Sequence, residues 1–277
     1  MARHRGAGCL LGWGLVITAC PYGSAGAAET GCGPYRVGLR EYPQVYERQR
    51  QGAGEASGLD LDFFSQLASR SGCAFTYEIE SQPRVWSRIS AGTLDLTSWV
   101  VPTEERLKSV VLIPILTVRP LAYTWRSAAT TSCEAFLAQP ALRAVAVKGA
   151  SYGAGYDACL DRLTPQRMSF VADVDIAARV FAAHRVDLIV TYPWVMARHL
   201  PTLAGQVEIA DWEPSGRSVT SALALSRQTV SAEAQARLLD AVRAMAADGS
   251  IRRLVDIHLP GGGVTQVDPI KPLTGRP

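Results

Sequence analysis

The spacing of apolar and polar positions switches between two periods along the first half of the chain. Residues 35–41 alternate as in a strand, and residues 59–68 place their apolar side chains on one face of a helix that Gly72 ends. The same patterns predict strands over 74–80, 95–100 and 121–126, and a helix over 85–91. Strands that alternate with helices favour right-handed βαβ units, so the pattern predicts an α/β fold with a parallel sheet.

The alternation starts again after a polar stretch at residues 127–132. Further strands are predicted over 143–147, 168–171, 187–192, 206–212 and 219–226, and helices over 153–163, 173–183, 193–200, 231–247 and 251–258. Asp173 and Ser231 are predicted N-caps, because their side chains can accept hydrogen bonds from free helix amides. Two such halves, joined near residues 122–132 and again near 213–220, predict two lobes with a two-strand hinge and a ligand site between them.

Arg106 ends a short polar segment, residues 102–106, that directly follows the predicted strand over 95–100. Open α/β sheets bind ligands at the carboxyl ends of their strands. A guanidinium can hold a carboxylate with two parallel hydrogen bonds. The position therefore predicts an anion-binding arginine, and the alternative is a solvated ion pair with Glu104 or Glu105.

The N-terminus is typical of a secretory signal peptide. A basic start with Arg3 and Arg5 precedes an apolar stretch, residues 6–19, that is too short to span a membrane, and then small residues up to Ala28. We expect residues 1–28 to be removed. The alternative is lipid attachment at Cys20, because residues 17–20 also resemble a bacterial lipobox. Either route places the mature protein in the periplasm.

Size and charge limit the remaining classes. About 250 mature residues exceed what one hydrophobic core usually serves, which again favours two lobes. The formal net charge of +3 falls to +1 on removal of residues 1–28, since that segment holds two arginines and no acid. No basic run remains, so nucleic-acid binding is not expected. Residues 261–277, rich in glycine and proline, are expected to form a disordered tail.

Cysteines Cys32, Cys73, Cys133 and Cys159 follow the signal segment. An even count in an exported protein indicates disulfides, with three possible connectivities. We favour Cys32–Cys73 and Cys133–Cys159, because the first two precede strands that lie side by side in a parallel sheet. Zinc binding is the alternative, but no CxxC or histidine spacing supports it, and no metal or cofactor is expected.

The chain contains, in this order, the segments YRVGLREYP, GLDLDFFSQLA, W-x-x-I-x-x-G-x-LDL, TEER, AVKGASYG, VDLIVTYP and MAADGSIRRLVDIHL. Together they resemble the bacterial extracellular solute-binding protein family 3, the periplasmic amino-acid-type binding proteins of ABC transporters. The resemblance implies the type II periplasmic binding protein fold, with lobe 1 formed by residues 29–122 and 218–260 and lobe 2 by residues 123–217. It also implies a monomer that is not an enzyme, closes on a small molecule and presents it to a membrane permease.

The resemblance further implies that Arg106 holds the α-carboxylate of an amino-acid ligand. The hydroxyl residue that relatives carry five positions earlier is Val101 here, so only Ser151 in the second-lobe turn can supply a hydroxyl. Where relatives have an ammonium-binding aspartate, this chain has Tyr192, which supplies no charge at neutral pH. A buried ammonium without a countercharge is costly, so we expect an anionic or polar organic acid rather than a free amino acid.

Aromatic side chains near the expected crevice, among them Tyr46 and Trp86, suggest that the acid is aromatic. Arg84, at a loop-to-helix junction, is a second candidate donor at the mouth. The candidate ligand-binding residues are Arg106, Tyr42, Trp99, Ser151, Tyr192 and Arg84.

Two enzymatic alternatives remain open. Residues 149–153 match G-x-S-x-G, followed by Asp187 and then His199 or His258, which is the chain order of α/β-hydrolases. No upstream HGGG-like motif accompanies the match. Some proteins on the same fold act as periplasmic dehydratases such as cyclohexadienyl dehydratase, for which Glu41 and Glu105 would be the candidate acids.

Overall fold

The computed structural model describes residues 32–48, 56–213, 218–259 and 264–266. The predicted signal peptide and Cys20 lie outside the described residues. The strands are β1 (Cys32–Leu39), β2 (Cys73–Ile79), β3 (Leu96–Val100), β4 (Val110–Val118), β5 (Leu121–Trp125), β6 (Ala144–Val147), β7 (Met168–Val171), β8 (Leu188–Thr191), β9 (Val207–Ala210), β10 (Val219–Ser226) and β11 (Val264–Gln266).

The helices surround two separate sheets. They are α1 (Leu59–Ser71), α2 (Gln82–Ser90), α3 (Glu104–Ser109), α4 (Cys133–Leu137), α5 (Ala154–Leu160), α6 (Val174–Ala182), α7 (Pro193–Met196), α8 (Ala232–Ala247) and α9 (Ser250–His258), with short 3-10 turns at Arg126–Ala128 and Leu200–Leu203. The predicted α/β class is confirmed. The caps are also confirmed, since Asp173 accepts from the amide of Ile176 and Ser231 from that of Ala234.

The first lobe contains a mixed sheet in the order β11-β4-β10-β3-β1-β2. Strand β1 is parallel to β2 and β3, as predicted. Strand β10 runs antiparallel to β3 and β4, so the sheet is mixed, with the predicted parallel strands as one part of it. The alternation pattern also missed β4, because a strand buried on both faces is a continuous apolar run without a period.

The second lobe contains a mixed sheet in the order β7-β6-β8-β5-β9. Strand β6 is parallel to β7 and β8, whereas β5 is antiparallel to β8 and β9. The chain passes from the first sheet to the second at residues 119–120, earlier than the predicted 122–132. It returns between β9 and β10, in the region predicted for the second crossing.

Helix α1 packs on the first sheet and contacts α8 and α9. Its start is fixed by Gly58, whose φ of 132° is open mainly to glycine. A Cβ at this position would overlap the carbonyl group of Val45. The apolar side chains Leu59, Phe63 and Phe64 are then fully enclosed, and this rigid packing places the first turn of α1 beneath the space between the lobes.

Both predicted disulfides are present, Cys32–Cys73 and Cys133–Cys159. Cys32 and Cys73 are register partners at the start of the parallel pair β1 and β2, which is the arrangement that the sequence argument assumed. The Cys133–Cys159 bond joins the start of α4 to α5 within the second lobe.

The prediction of a disordered tail over residues 261–277 is wrong for three residues, because Val264–Gln266 pairs antiparallel with β4. The rest of that tail lies outside the described residues. Within the described residues, no helix combines the length and the apolar character needed to cross a membrane.

Candidate functional site

A cavity of about 330 Å³ lies between the two lobes. The first lobe contributes residues that follow β1, begin α2 and follow β3. The second contributes the turn after β6, the start of α6 and the residue after β8. Prominent lining residues are Arg40, Tyr42, Gln82, Trp99 and Arg106 from the first lobe, and Ala150, Ser151, Tyr152, Asp173 and Tyr192 from the second. This volume suits a small organic molecule.

Arg106 lies at this cavity, as predicted, and its guanidinium contacts both lobes. Nη1 donates to the Val101 carbonyl at 2.6 Å, and Nη2 donates across the cleft to the Gly149 carbonyl at 3.0 Å. The guanidinium also lies over the Trp86 ring, 4.7 Å from its centroid. Burial lowers the pKa of Arg106 to about 10, and the positive charge of Arg40 adds to this effect.

Helix α3 sets the position of Arg106. The Thr103 hydroxyl caps this helix by accepting from the Arg106 amide. Acidic residues Glu104 and Glu105 occupy its first turn, but Glu105 pairs with Lys108 at 2.8 Å on the exposed side. The alternative in which Glu105 pairs with Arg106 is therefore wrong.

Arg40 is a second arginine in the cavity, and the sequence argument did not single it out. It directly follows β1, donates to Gln82 Oε1 at 2.6 Å and donates to the Ser98 carbonyl. Burial lowers its pKa, while nearby Asp60 acts in the opposite direction. Its place at the carboxyl end of a parallel strand is the signal that identified Arg106, so the same reasoning could have found it.

Asp60 and Trp99 form the floor of the cleft on the first lobe. The Asp60 Oδ1 atom accepts from the Ser98 hydroxyl at 2.5 Å and from the Trp99 indole at 2.6 Å. Burial raises the pKa of Asp60 to about 6. Trp99 has a φ of 52°, an uncommon conformation for a bulky residue, and its ring packs edge-on against Phe63.

Tyrosines line the cavity from both lobes, Tyr42 from the first and Tyr192 from the second. Tyr192 stacks on Trp194 with ring centroids 4.6 Å apart and ring planes 1° apart. Burial raises the pKa values of Tyr42 and Tyr192 well above their ordinary range, so both are neutral donors. The nearby Tyr46 is a core residue, 5% exposed, and forms a backbone bridge with Tyr42 instead of lining the cavity.

Ser151 lines the cavity, but its hydroxyl already has an acceptor. It donates to Asp157 Oδ2 at 2.5 Å, and the Tyr152 amide donates to Asp157 Oδ1 at 2.8 Å. A carboxylate of the protein therefore occupies the donors that the sequence argument reserved for ligand. Burial raises the pKa of Asp157, and the positive charge of Arg106 opposes that rise.

The same contacts contradict a serine hydrolase. The partner of Ser151 is an aspartate, whereas a triad needs histidine in that position. His258 Nε2 instead lies 2.7 Å from Asp62 Oδ2, and Asp187 accepts from the backbone amide of Arg143. The G-x-S-x-G match is a turn between a strand and a helix.

Arg84 does not belong to the candidate site. Its side chain is 73% exposed, pairs with Glu80 at 3.0 Å and is absent from the cavity lining, so the predicted second donor at the mouth is wrong. The sequence could not distinguish Arg84 from Arg40, because both lie near the carboxyl end of a strand. Within the described ranges, no three histidine, cysteine or acidic side chains group as metal ligands would.

No protein-family model matches the sequence, and no curated protein matches it significantly. Solved structures do match. A histidine kinase sensor domain with similarity to periplasmic binding proteins has a TM-score of 0.67 at 14% identity, covering 81% of this chain and 95% of that chain. The substrate-binding protein of an amino acid ABC transporter has a TM-score of 0.67 at 16% identity, covering 83% and 100%.

A third solved structure is an ancestral amino acid-binding protein described as a precursor of cyclohexadienyl dehydratase, with a TM-score of 0.65 at 19% identity. The match covers 81% of this chain and 94% of that chain. Amino acid transporter binding proteins recur among these neighbours. The chain thus has the two-lobed periplasmic binding protein fold, with a cavity between the lobes.

Proposed function

We propose that this protein is a periplasmic solute-binding protein that captures a small carboxylate-bearing organic solute between its lobes and delivers it to an ABC transporter permease. The observation that carries the proposal is Arg106, a buried guanidinium of the first lobe that reaches the Gly149 carbonyl of the second lobe beside the cavity. We expect the protein to act as a monomer.

The proposed mechanism is a shift of the population from an open to a closed form. The closed form places Arg106 in a desolvated position with only carbonyl acceptors among the described residues. A carboxylate is a stronger acceptor for a guanidinium than a neutral carbonyl. A bound acid therefore stabilises the closed form, because it compensates the buried charge in that form more than in the open one.

The aromatic walls give the site its second property. Trp99 and Tyr42 of the first lobe and Tyr192 of the second all line the cavity and expose apolar ring surface to it. An organic acid with a small carbon skeleton gains from burying that skeleton against the rings. Inorganic anions gain nothing comparable, which favours an organic solute.

Small-angle scattering and thermal shift against a panel of organic acids test the proposal. A true ligand is expected to reduce the radius of gyration and raise Tm. Arg106→Gln should weaken binding by roughly 2–5 kcal/mol, because it leaves a buried carboxylate without its cation. The control is Arg84→Gln, which removes an exposed arginine outside the cavity and should leave the affinity unchanged.

A Kd that Arg106→Gln changes by less than about threefold, or about 0.7 kcal/mol, would contradict the assignment. Scattering curves that stay identical across a broad panel of small solutes would contradict capture between the lobes altogether.

A dehydratase on the same fold is the enzymatic alternative. Its candidate acids are poorly placed, since Glu41 lines the cavity but pairs with Arg48 at 3.1 Å, and Glu105 is exposed beside Lys108. Neither is a free acid in the described site. Turnover of prephenate or arogenate by the purified protein would favour the enzyme over the binding protein.

A further inference from the structure

Two arginines of the cavity have only neutral acceptors among the described residues. Arg106 donates to the carbonyl groups of Val101 and Gly149, and Arg40 donates to the Gln82 amide oxygen and the Ser98 carbonyl. Neither guanidinium has a carboxylate oxygen within ion-pair distance in the part of the chain that the structure describes. The cavity thus holds two buried or partly buried cations, one more than capture of a simple carboxylate needs.

The acids that line the cavity are already engaged. Glu41 pairs with Arg48 at 3.1 Å, and Glu80 pairs with Arg84 and Arg88. Asp173 accepts from a backbone amide as the N-cap of α6. None of these carboxylates is therefore available to neutralise Arg40 or Arg106.

Two further acids lie near the arginines and offset them only in part: Asp60 lines an adjoining cavity with Arg40, and Asp157 lines another with Arg106. Asp60 is directed to the Ser98 hydroxyl and the Trp99 indole. Asp157 is directed to the Ser151 hydroxyl and the Tyr152 amide. Neither carboxylate lies within ion-pair distance of Arg40 or Arg106, so among the described residues both guanidinium groups have only neutral hydrogen-bond acceptors.

Like charges in a desolvated site repel, and the repulsion grows as the surroundings lose water. Arg40 and Arg106 line the same cavity, and the positive charge of Arg40 contributes to the lowered pKa of Arg106. A ligand with one negative group satisfies one arginine and leaves the other buried. A ligand with two negative groups removes both penalties.

We propose that Arg40 is a second ligand-binding arginine and that the solute carries two acidic groups, as a small dicarboxylate does. This inference rests on the proposed function and narrows its ligand class. The cavity of about 330 Å³ accommodates such a molecule, and Trp99 and Tyr42 line it near Arg40. Gln82, which is buried and accepts from Arg40, is the positioning residue for this guanidinium.

The test compares each dicarboxylate with its own monoamide by isothermal titration. The diacid probes are malonate, succinate, glutarate, adipate and phthalate. Their monoamides, malonamate, succinamate, glutaramate, adipamate and phthalamate, keep the shape but lose one charge. Zwitterionic and acidic amino acids complete the panel. At least one diacid is expected to bind about tenfold or more tightly than its monoamide, which corresponds to about 1.4 kcal/mol.

Arg40→Gln is expected to reduce this diacid preference to about threefold or less, while monoamide binding through Arg106 persists. Arg40→Lys, which keeps the charge, should retain part of the preference. Arg84→Gln is the matched control and should keep all of it. Thermal unfolding of each variant checks that it folds. If Arg40→Gln does not fold, the comparison of diacids with monoamides in the wild-type protein still tests the inference.

Each outcome has a separate meaning. Equal binding of diacids and monoamides, or tighter binding of neutral zwitterionic amino acids, overturns the diacid inference and leaves the proposed function in place. Compaction of the protein only by a monoacid outside the panel would likewise overturn the diacid inference and leave the proposed function in place. If no small solute compacts it, the proposed function fails and the inference fails with it.

Discussion

Arg198 of the second lobe donates to Glu47 of the first lobe, with Nη2 2.7 Å from Oε1. Both side chains are more than two-fifths exposed, and both line a small surface cavity with Glu41 and Arg48 at the edge of the cleft. Arg198 Nη1 also lies 3.6 Å from Asp175 of its own lobe. The Glu47–Arg198 pair thus links the lobes through side chains, in addition to the two chain crossings.

Glu47→Gln is expected to weaken ligand binding by at most about 1 kcal/mol, because exposed ion pairs contribute little. The effect should fall on the ligand dissociation rate, since opening the lobes is expected to separate the pair. Stopped-flow measurement of that rate at low and high salt tests this, and salt should mimic the variant. Glu233→Gln, which removes an exposed pair inside α8, is the control and should leave the rate unchanged.

Stability is expected to fall as the pH rises from about 4 to about 6, through the ionisation of Asp60. Burial raises the folded-state pKa to about 6, above the usual value of about 3.9. The folded state therefore holds the proton more tightly than the unfolded state. Ionisation of Asp60 lowers the free energy of unfolding by about 3 kcal/mol at most, a loss that is complete once the pH exceeds both pKa values.

Asp60→Asn removes this contribution and keeps an oxygen that can accept from Ser98 and Trp99. Its free energy of unfolding, measured by urea at several pH values, should improve relative to wild type between about pH 4 and 6 and run parallel above about pH 7. Asp240→Asn, on the exposed face of α8, is the control. Parallel curves for Asp60→Asn over the whole range would show that Asp60 ionises normally.

Trp99→Gly is expected to be more stable than Trp99→Ala by about 1 kcal/mol. Both variants lose the indole contacts with Asp60 and Phe63, so that loss cancels in the comparison. The φ of 52° remains, and this left-handed conformation strains alanine but not glycine. Urea unfolding of the two variants measures the difference, and an alanine variant as stable as the glycine variant would mean that the backbone relaxes.

Replacing Cys32 and Cys73 together by serine is expected to cost about 2–5 kcal/mol of stability, as expected when a native disulfide is removed. The bond spans 41 residues and ties β1 to β2, whereas Cys133–Cys159 spans 26 residues within the second lobe. The longer loop should cost slightly more when opened, because more chain entropy returns to the unfolded state. Urea unfolding of both double variants in oxidising buffer compares them. A larger loss for the shorter loop would contradict the entropic explanation.

Local patterns predicted much of the fold. The alternation at β1 and the helical face of α1 reflect burial on one side, which leaves a period in the sequence. The same logic missed β4, because this strand is buried on both faces and its apolar residues do not alternate with polar ones. It also did not predict that β10 runs antiparallel. Strand direction depends on which strands meet, and no local pattern encodes that choice.

The candidate site divides in the same way. Arg106 could be predicted at the cleft from its place after β3, and Trp99 from its place near the end of that strand. Arg84 and Arg40 could not be ranked, because both satisfy the same rule and only the packing of α2 decides that one faces solvent and the other Gln82. The engagement of Ser151 by Asp157 was equally hidden, since it joins two residues through a turn whose geometry depends on the second lobe.

The sequence alone determined the α/β class, the two repeated halves, the expectation of disulfides and one arginine at the crevice, because each depends on short-range periodicity or on residue type. Only the tertiary structure decided which charges are compensated. Compensation requires an oxygen within about 3 Å of a nitrogen, and residues far apart in the chain supply those oxygens across two lobes. The pairing of Glu41 with Arg48 follows from that assembly, as does the position of Asp60, which lies near Arg40 but outside ion-pair distance.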